Sequence, residues 1–221
     1  MSRRPSLTDP TPRLSVRARP SSAGSSIPPS ISTFPGDPWA DHIARVGEAP
    51  ESGTVRGLFF TEILRLVPAL QNARARYVAF SKYPLRDYMR LLIEAGRIAH
   101  PGKSPDESLR QLGLSTFGAF SSSIVGVALF SGVTYERALD LAPEAYRLSI
   151  APARIEMVSR TAHEAVVQLR DLWAFPESYQ VGVWTGGLRV LGLSGDIECI
   201  RHSWSSVDFH VTFQRGPAGS P

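Results

Sequence analysis

Near the C-terminus, Val207, Phe209, Val211 and Phe213 alternate with Asp208, His210, Thr212 and Gln214. Successive side chains of a strand point to opposite faces, so this run predicts a strand with one wet face and one buried face. Such a strand cannot stand alone. It needs hydrogen-bonded neighbours on its edges and an apolar layer over its inner face.

The residues just before it supply the neighbours. Ile197 and Cys199 fit an antiparallel partner, with Trp204 and Ser205 in the connecting turn. Ile155 and Met157, then Val167 and Leu169, lie in short segments rich in β-branched residues around a polar turn near Thr161, which predicts a hairpin. Between the two pairs, Tyr179 to Leu191 reads as a helix; its Gly182, Gly186 and Gly187 weaken it but allow close packing on a neighbouring backbone.

The earlier half reads as the cover. Val55, Leu58, Phe59, Ile63, Leu66 and Val67 fall at helical spacing behind Ser52 and Thr54, and Pro68 ends that helix. Pro84 opens a second helix with Leu85, Tyr88, Met89, Leu92 and Ile93 on its apolar stripe, closed by Pro101 and Gly102. Ser104, Pro105 and Glu107 form a capping box for a short third helix that Gly113 stops. Residues 115–130 read as a buried fourth helix, and Thr134 to Ile150 as a further helical stretch broken at Pro143. The expectation is an α+β fold: a helical N-terminal half followed by a strand-strand-helix-strand-strand unit, forming an antiparallel four-stranded sheet packed on the helices.

Residues 51–214 are read as one domain, and 215–221 as a flexible C-terminal tail. Before them, residues 1–50 read as a disordered tail rich in Pro, Ser and Arg. Residues 1–36 alone hold nine serines and show no apolar periodicity, so the segment cannot bury enough surface to offset its chain entropy.

Charge and cysteine usage narrow the function. Arg3, Arg4, Arg13, Arg17 and Arg19 against Asp9 place the whole net charge of +4 in residues 1–36, and the rest of the chain balances. A nucleic-acid-binding face is therefore not expected on the folded domain. Cys199 is the single cysteine, so a disulfide framework and multi-cysteine metal sites are excluded. No apolar run reaches the roughly 18 residues of a membrane span, and no signal peptide is evident, which makes the cytoplasm the expected location.

Four blocks carry a family resemblance: Val55 to Phe60, Tyr83 to Tyr88, Ala138 to Arg147, and the ending from Leu188 to Phe213. They resemble an uncharacterised paralogous family expanded in myxobacteria, a domain of unknown function, over roughly residues 50–214. The order of elements is also similar to that of the haem nitric-oxide-binding domains and their four-vinyl-reductase relatives. That likeness implies the fold and makes a sensor one candidate function. Haem-binding members require a proximal histidine on a helix before the sheet and a Tyr-x-Ser-x-Arg run. Residues 134–150 contain no histidine, and Gln168-Leu169-Arg170-Asp171 stands where the run would fall, so no cofactor is expected.

Among single residues, His100 suits a helix end, while His163, His202 and His210 show no ligand spacing. Ser121, Ser122 and Ser123 lack a nucleophile context, and Cys199 reads as an inert, buried thiol. The one speculative ligand-binding cluster is Tyr146, Arg147, Arg170, Trp173 and Tyr179, at the junction of the helical half and the sheet. The competing reading pairs Arg147 with Glu144 and Arg170 with Asp171 at the surface and sends the aromatics into the core. A non-catalytic sensory or regulatory ligand-binding module is the expected function, binding a small molecule or a protein. The alternative is an interaction or scaffold component, possibly homodimeric.

Overall fold

The computed structural model describes residues 34–71, 76–121 and 132–215. Most of the expected N-terminal tail, Ser122, Ser123 and residues 216–221 lie outside that set.

The ordered chain begins before residue 51. Helix α1, Ala40–Glu48, stands inside the segment read as disordered, with His42, Arg45 and Val46 buried beside Trp39 and Ala49. The proline and serine content of residues 1–36 does not extend to this short amphipathic stretch. Asp37 anchors its start by accepting from the Trp39 backbone N–H at 3.0 Å and pairing with Arg97 at 2.5 Å.

Strand β1, Thr54–Arg56, precedes helix α2, Gly57–Leu66, where a single helix from Val55 was expected. Pairing explains the difference: β1 lies antiparallel between β2, Lys82–Pro84, and the two-residue β3, Ile150–Ala151. Helix α3, Leu85–Ala99, then buries the predicted stripe, including Leu85, Tyr88, Met89, Leu92 and Ile93.

Helix α4, Pro105–Ser121, starts at the predicted cap, where Ser104 Oγ accepts from the Glu107 N–H at 3.3 Å. It does not stop at Gly113. That glycine is instead a point of contact: a Cβ there would lie 2.1 Å from the carbonyl oxygen of Tyr179. Helix α5, Tyr135–Ser149, likewise runs unbroken through Pro143. The ring removes one backbone N–H, but the Thr134 cap and the bond that Tyr146 accepts from Trp184 on the next helix hold the two ends of α5.

The C-terminal unit follows the predicted order. Strands β4, Arg154–Arg160, and β5, Glu164–Arg170, form the hairpin. A π-helical turn, Pro176–Gln180, leads into helix α6, Val181–Val190. Strands β6, Leu193–Arg201, and β7, Val207–Arg215, complete an antiparallel sheet in the order β4-β5-β7-β6. Its inner face buries Val167, Leu169, Val207, Phe209 and Val211. Helix α6 lies between that face and α4, with Trp184 edge-on to Phe209 at 5.9 Å. Its glycines let it approach closely, since a Cβ on Gly182 would meet the Arg110 carbonyl oxygen at 2.0 Å.

Candidate functional site

The chain crosses from the sheet to α6 along a strained path. Among the described residues, Asp171 and Phe175 are the two non-glycine positions with positive φ, at 55° and 50°, and the π-helical turn follows at once. Left-handed backbone costs a non-glycine residue about 1–2 kcal/mol, and π-helical turns concentrate at functional positions. A strained connection at the junction of helices and sheet is therefore a place to look for function.

The turn carries a partly buried network of neutral polar groups. Tyr146, on α5, donates to Gln180 Oε1 at 2.8 Å and accepts from the indole Nε1 of Trp184 at 2.9 Å. Gln180 Nε2 donates to the Ala174 carbonyl at 3.4 Å. One residue back, the Tyr179 and Tyr88 hydroxyls bond at 2.8 Å, joining the turn to α3. Burial pushes the Tyr88, Tyr146 and Tyr179 phenols above their usual range, so all three stay protonated at neutral pH.

The five residues singled out in sequence do not form one cluster. Tyr146 and Tyr179 enter the network. Arg147 pairs with Glu144 at 2.5 Å on the surface. Arg170 reaches Asp208 at 2.7 Å and the Val207 carbonyl at 2.8 Å, while Asp171 pairs with Arg154 at 2.6 Å. Trp173 is half-buried on the strained connection. Sequence reasoning missed Gln180, Trp184 and Tyr88, which read as ordinary helix positions. Their one available signal was a polar atom inside an apolar stripe.

Cys199 is half-buried on β6, opposite Phe209. Burial pushes its thiol up to about 11, which removes it as a nucleophile at neutral pH. His100 caps α3, with its N–H on the Gly96 carbonyl at 3.1 Å. On the opposite face of the sheet from the helices lie two shallow hollows of about 360 and 290 Å³. Both are lined by outward residues such as Glu164, Asp196, Thr212 and, in the larger, His210, and neither opens onto the junction.

A second polar cluster lies where α1, the start of α4 and the π-helical turn meet. His42 Nε2 is 3.1 Å from Asp106 Oδ1, and Arg45 pairs with Glu177 Oε1 while its guanidinium covers the Trp204 ring at 3.7 Å. Hydrogen bonding to His42 leads the effects that hold the Asp106 carboxyl below its usual range, against burial. Sequence reasoning missed this cluster because His42 and Arg45 fell inside the expected tail.

Among described helices, none is long and apolar enough to cross a membrane. Residues 49–214 match the family described as protein of unknown function (DUF2378). A search of curated proteins finds no significant match. Among solved structures, a single-substitution variant of the Tt H-NOX protein is similar with a TM-score of 0.57 at 12% identity, over 75% of this chain and 96% of that one. The Fe(II) unliganded H-NOX protein from K. algicida gives 0.51 at 14% identity, over 75% and 100%. An oxygen-binding H-NOX domain related to soluble guanylate cyclases, in its oxygen complex, gives 0.53 at 12% identity, over 75% and 95%. At these identities the likeness establishes the fold alone.

Proposed function

The chain belongs to the DUF2378 family and has the fold of the H-NOX domains, and on that premise we propose that it is a non-catalytic regulatory module reading a small ligand at its helix-sheet junction. The observation that carries this reading is the network of Tyr146, Gln180 and Trp184, built on the strained connection from Asp171 to Gln180. It ties α5, α6 and the turn together through directional bonds. A ligand that competes for those bonds shifts the turn relative to the sheet, which is the differential contact a two-state element needs. The network has no charged member, so the ligand it favours is small, neutral and able to hydrogen-bond.

The same reading is free of haem. Similar structures include a domain in an oxygen complex and one studied for heme distortion. The residues here do not fit that group. The five histidines are His42, His100, His163, His202 and His210, so α5 carries none. Leu139, buried on α5, is apolar, and Cys199 holds its proton.

Native mass spectrometry of the purified full chain, with its absorption spectrum, tests the proposal. The expected result is a small non-covalent adduct without a Soret band, lost in the Tyr146→Phe, Gln180→Leu double variant. A clean homodimer or heterocomplex without an adduct supports a scaffold instead and overturns the ligand reading; a Soret band overturns the haem-free part.

A further inference from the structure

The cluster of His42, Arg45, Asp106 and Glu177 takes no part in the junction network, and its bonding is incomplete. One nitrogen of His42 and one carboxylate oxygen from each of Asp106 and Glu177 lie within 4.8 Å of one another. Three separate elements bring them together: α1, the first turn of α4 and the π-helical turn. The His42 ring is fixed by Trp39 and Phe175, at 5.6 and 5.4 Å between ring centres.

His42 and Arg45 have side chains only 7% and 6% exposed, and Glu177 13%, while Asp106 is 64% exposed and forms the mouth. Inside, His42 Nδ1 and Glu177 Oε2 are buried with no hydrogen-bond partner, as are Arg45 Nε and Ser178 Oγ. Nε2 is the nitrogen that faces Asp106, and with the proton on Nδ1 it presents its lone pair there. Glu177 Oε2 is an acceptor by nature. A buried carboxylate oxygen without a donor and an imidazole lone pair turned toward a second carboxylate are acceptors that a cation satisfies together.

Charge agrees. Two carboxylates and one guanidinium leave a net negative site when the imidazole is neutral. Arg45 holds only Oε1 of Glu177 and lies flat on Trp204, so it orients the carboxylate from outside and leaves Oε2 free. One imidazole nitrogen and two carboxylate oxygens, with solvent at the Asp106 side for a water, are a donor set suited to Zn²⁺.

We propose that His42, Asp106 and Glu177 bind one divalent transition-metal ion, of the Zn²⁺ class, which clasps α1 and the π-helical turn onto α4. Such a clasp stabilises the folded state, because metal affinity for a site absent from the unfolded chain adds to folding stability. The site is separate from Tyr146, Gln180 and Trp184, so its failure and that of the junction reading are distinguishable.

Calorimetric titration of ZnCl₂ into the chelator-treated full chain, with thermal melts, decides the matter. The expected result is one equivalent bound and a Tm that rises with Zn²⁺. Asp106→Asn and Glu177→Gln each weaken binding at least tenfold and abolish the rise, while the control His163→Ala changes neither. Asp106 is exposed, so its variant remains folded by circular dichroism and interpretable even where Glu177→Gln is not. Equal binding by wild type and Asp106→Asn, or no binding by the wild type, overturns the proposal.

Discussion

The phenolic oxygens of Tyr88 and Tyr179 meet at 2.8 Å in the core, each residue only 2% exposed, and this single bond ties α3 to the π-helical turn. Removing the Tyr88 hydroxyl takes from Tyr179 one of its two side-chain partners, the other being Thr116. Tyr88→Phe is therefore expected to cost about 1 kcal/mol, a Tm drop of roughly 2–4 °C. In a double-mutant cycle with Tyr179→Phe, the combined loss should be smaller than the sum of the single losses. Strictly additive urea midpoints would show that the two hydroxyls do not interact.

Three buried phenols also set the alkaline limit of the fold. Tyr88, Tyr146 and Tyr179 all have their ionisation pushed above the usual value, chiefly by burial. A raised pKa in the folded state means that the native form keeps protons the unfolded chain releases. Their contribution is complete below about pH 10, the unfolded value, and is lost as pH rises from there toward the folded values. Each contributes up to about 1.4 kcal/mol per pH unit in that window. Denaturant midpoints should be flat from pH 7 to 9 with respect to these groups and fall steeply by pH 11. A 295 nm titration in which all six tyrosines ionise together near pH 10 in the folded protein would contradict this.

Two glycines should respond to the same substitution in opposite directions. A Cβ on Gly182 meets the Arg110 carbonyl oxygen at 2.0 Å, and that oxygen belongs to the α4 backbone. It cannot rotate aside, so Gly182→Ala must push α6 away from α4 and is expected to cost upwards of about 2 kcal/mol. Gly47 lies inside α1 with nothing within 4 Å of its Cβ position. Gly47→Ala is expected to stabilise by about 0.5–1 kcal/mol through helix propensity alone. Urea unfolding of both variants checks the contrast, and loss of stability at Gly47 would mean that α1 does not form.

The two arginines once grouped together separate in the same kind of experiment. Among the described residues Arg147 bonds just the exposed Glu144, so Arg147→Ala should leave the unfolding midpoint unchanged. Arg170 donates to the Leu169 and Val207 carbonyls at 3.0 and 2.8 Å and pairs with Asp208, which also meets His202 at 3.0 Å. Arg170→Ala is expected to cost about 1–2 kcal/mol by loosening the start of β7. Equal effects of the two substitutions would refute the assignment.

What sequence could show here depended on whether one element's own period carried the signal. The alternation of Val207 to Phe213 placed β7 directly, because burial of one sheet face leaves its mark on every second residue. The β4-β5 hairpin and α6 were legible for the same reason. At Gly113 and Pro143 local propensity favours breaks. Contacts with Tyr179 and with Gln180, each more than thirty residues distant, decide otherwise. The junction network was half visible: Tyr146 and Tyr179 are aromatic in a polar stretch, whereas Gln180 and Trp184 gain meaning only when α5 and α6 meet. His42 and Arg45 follow a proline-rich, serine-rich segment, and nothing local reveals that Asp106 and Glu177, 64 and 132 residues on, complete their surroundings.

The state of Cys199 is the sharpest check on the inner face of the sheet. It stands on β6 opposite Phe209, and burial leads the effects that push its thiol up to about 11. Only the thiolate reacts with alkylating reagents or disulfides, and at pH 8 a thiol of that pKa is ionised on the order of a hundredfold less than a free cysteine. Iodoacetamide labelling at pH 8 should therefore be slower by about that factor in the native protein than in urea. Limited access to the half-buried sulfur slows it further. Raising the pH from 8 to 9 should increase the native rate about tenfold, as expected for a thiol still far below its pKa. The unfolded rate should already be levelling off. A native rate that is fast at pH 8 and independent of pH would mean a thiolate at Cys199. The packing of β6 against β7 would then differ from the register Cys199 to Phe209 that places the thiol beside the core.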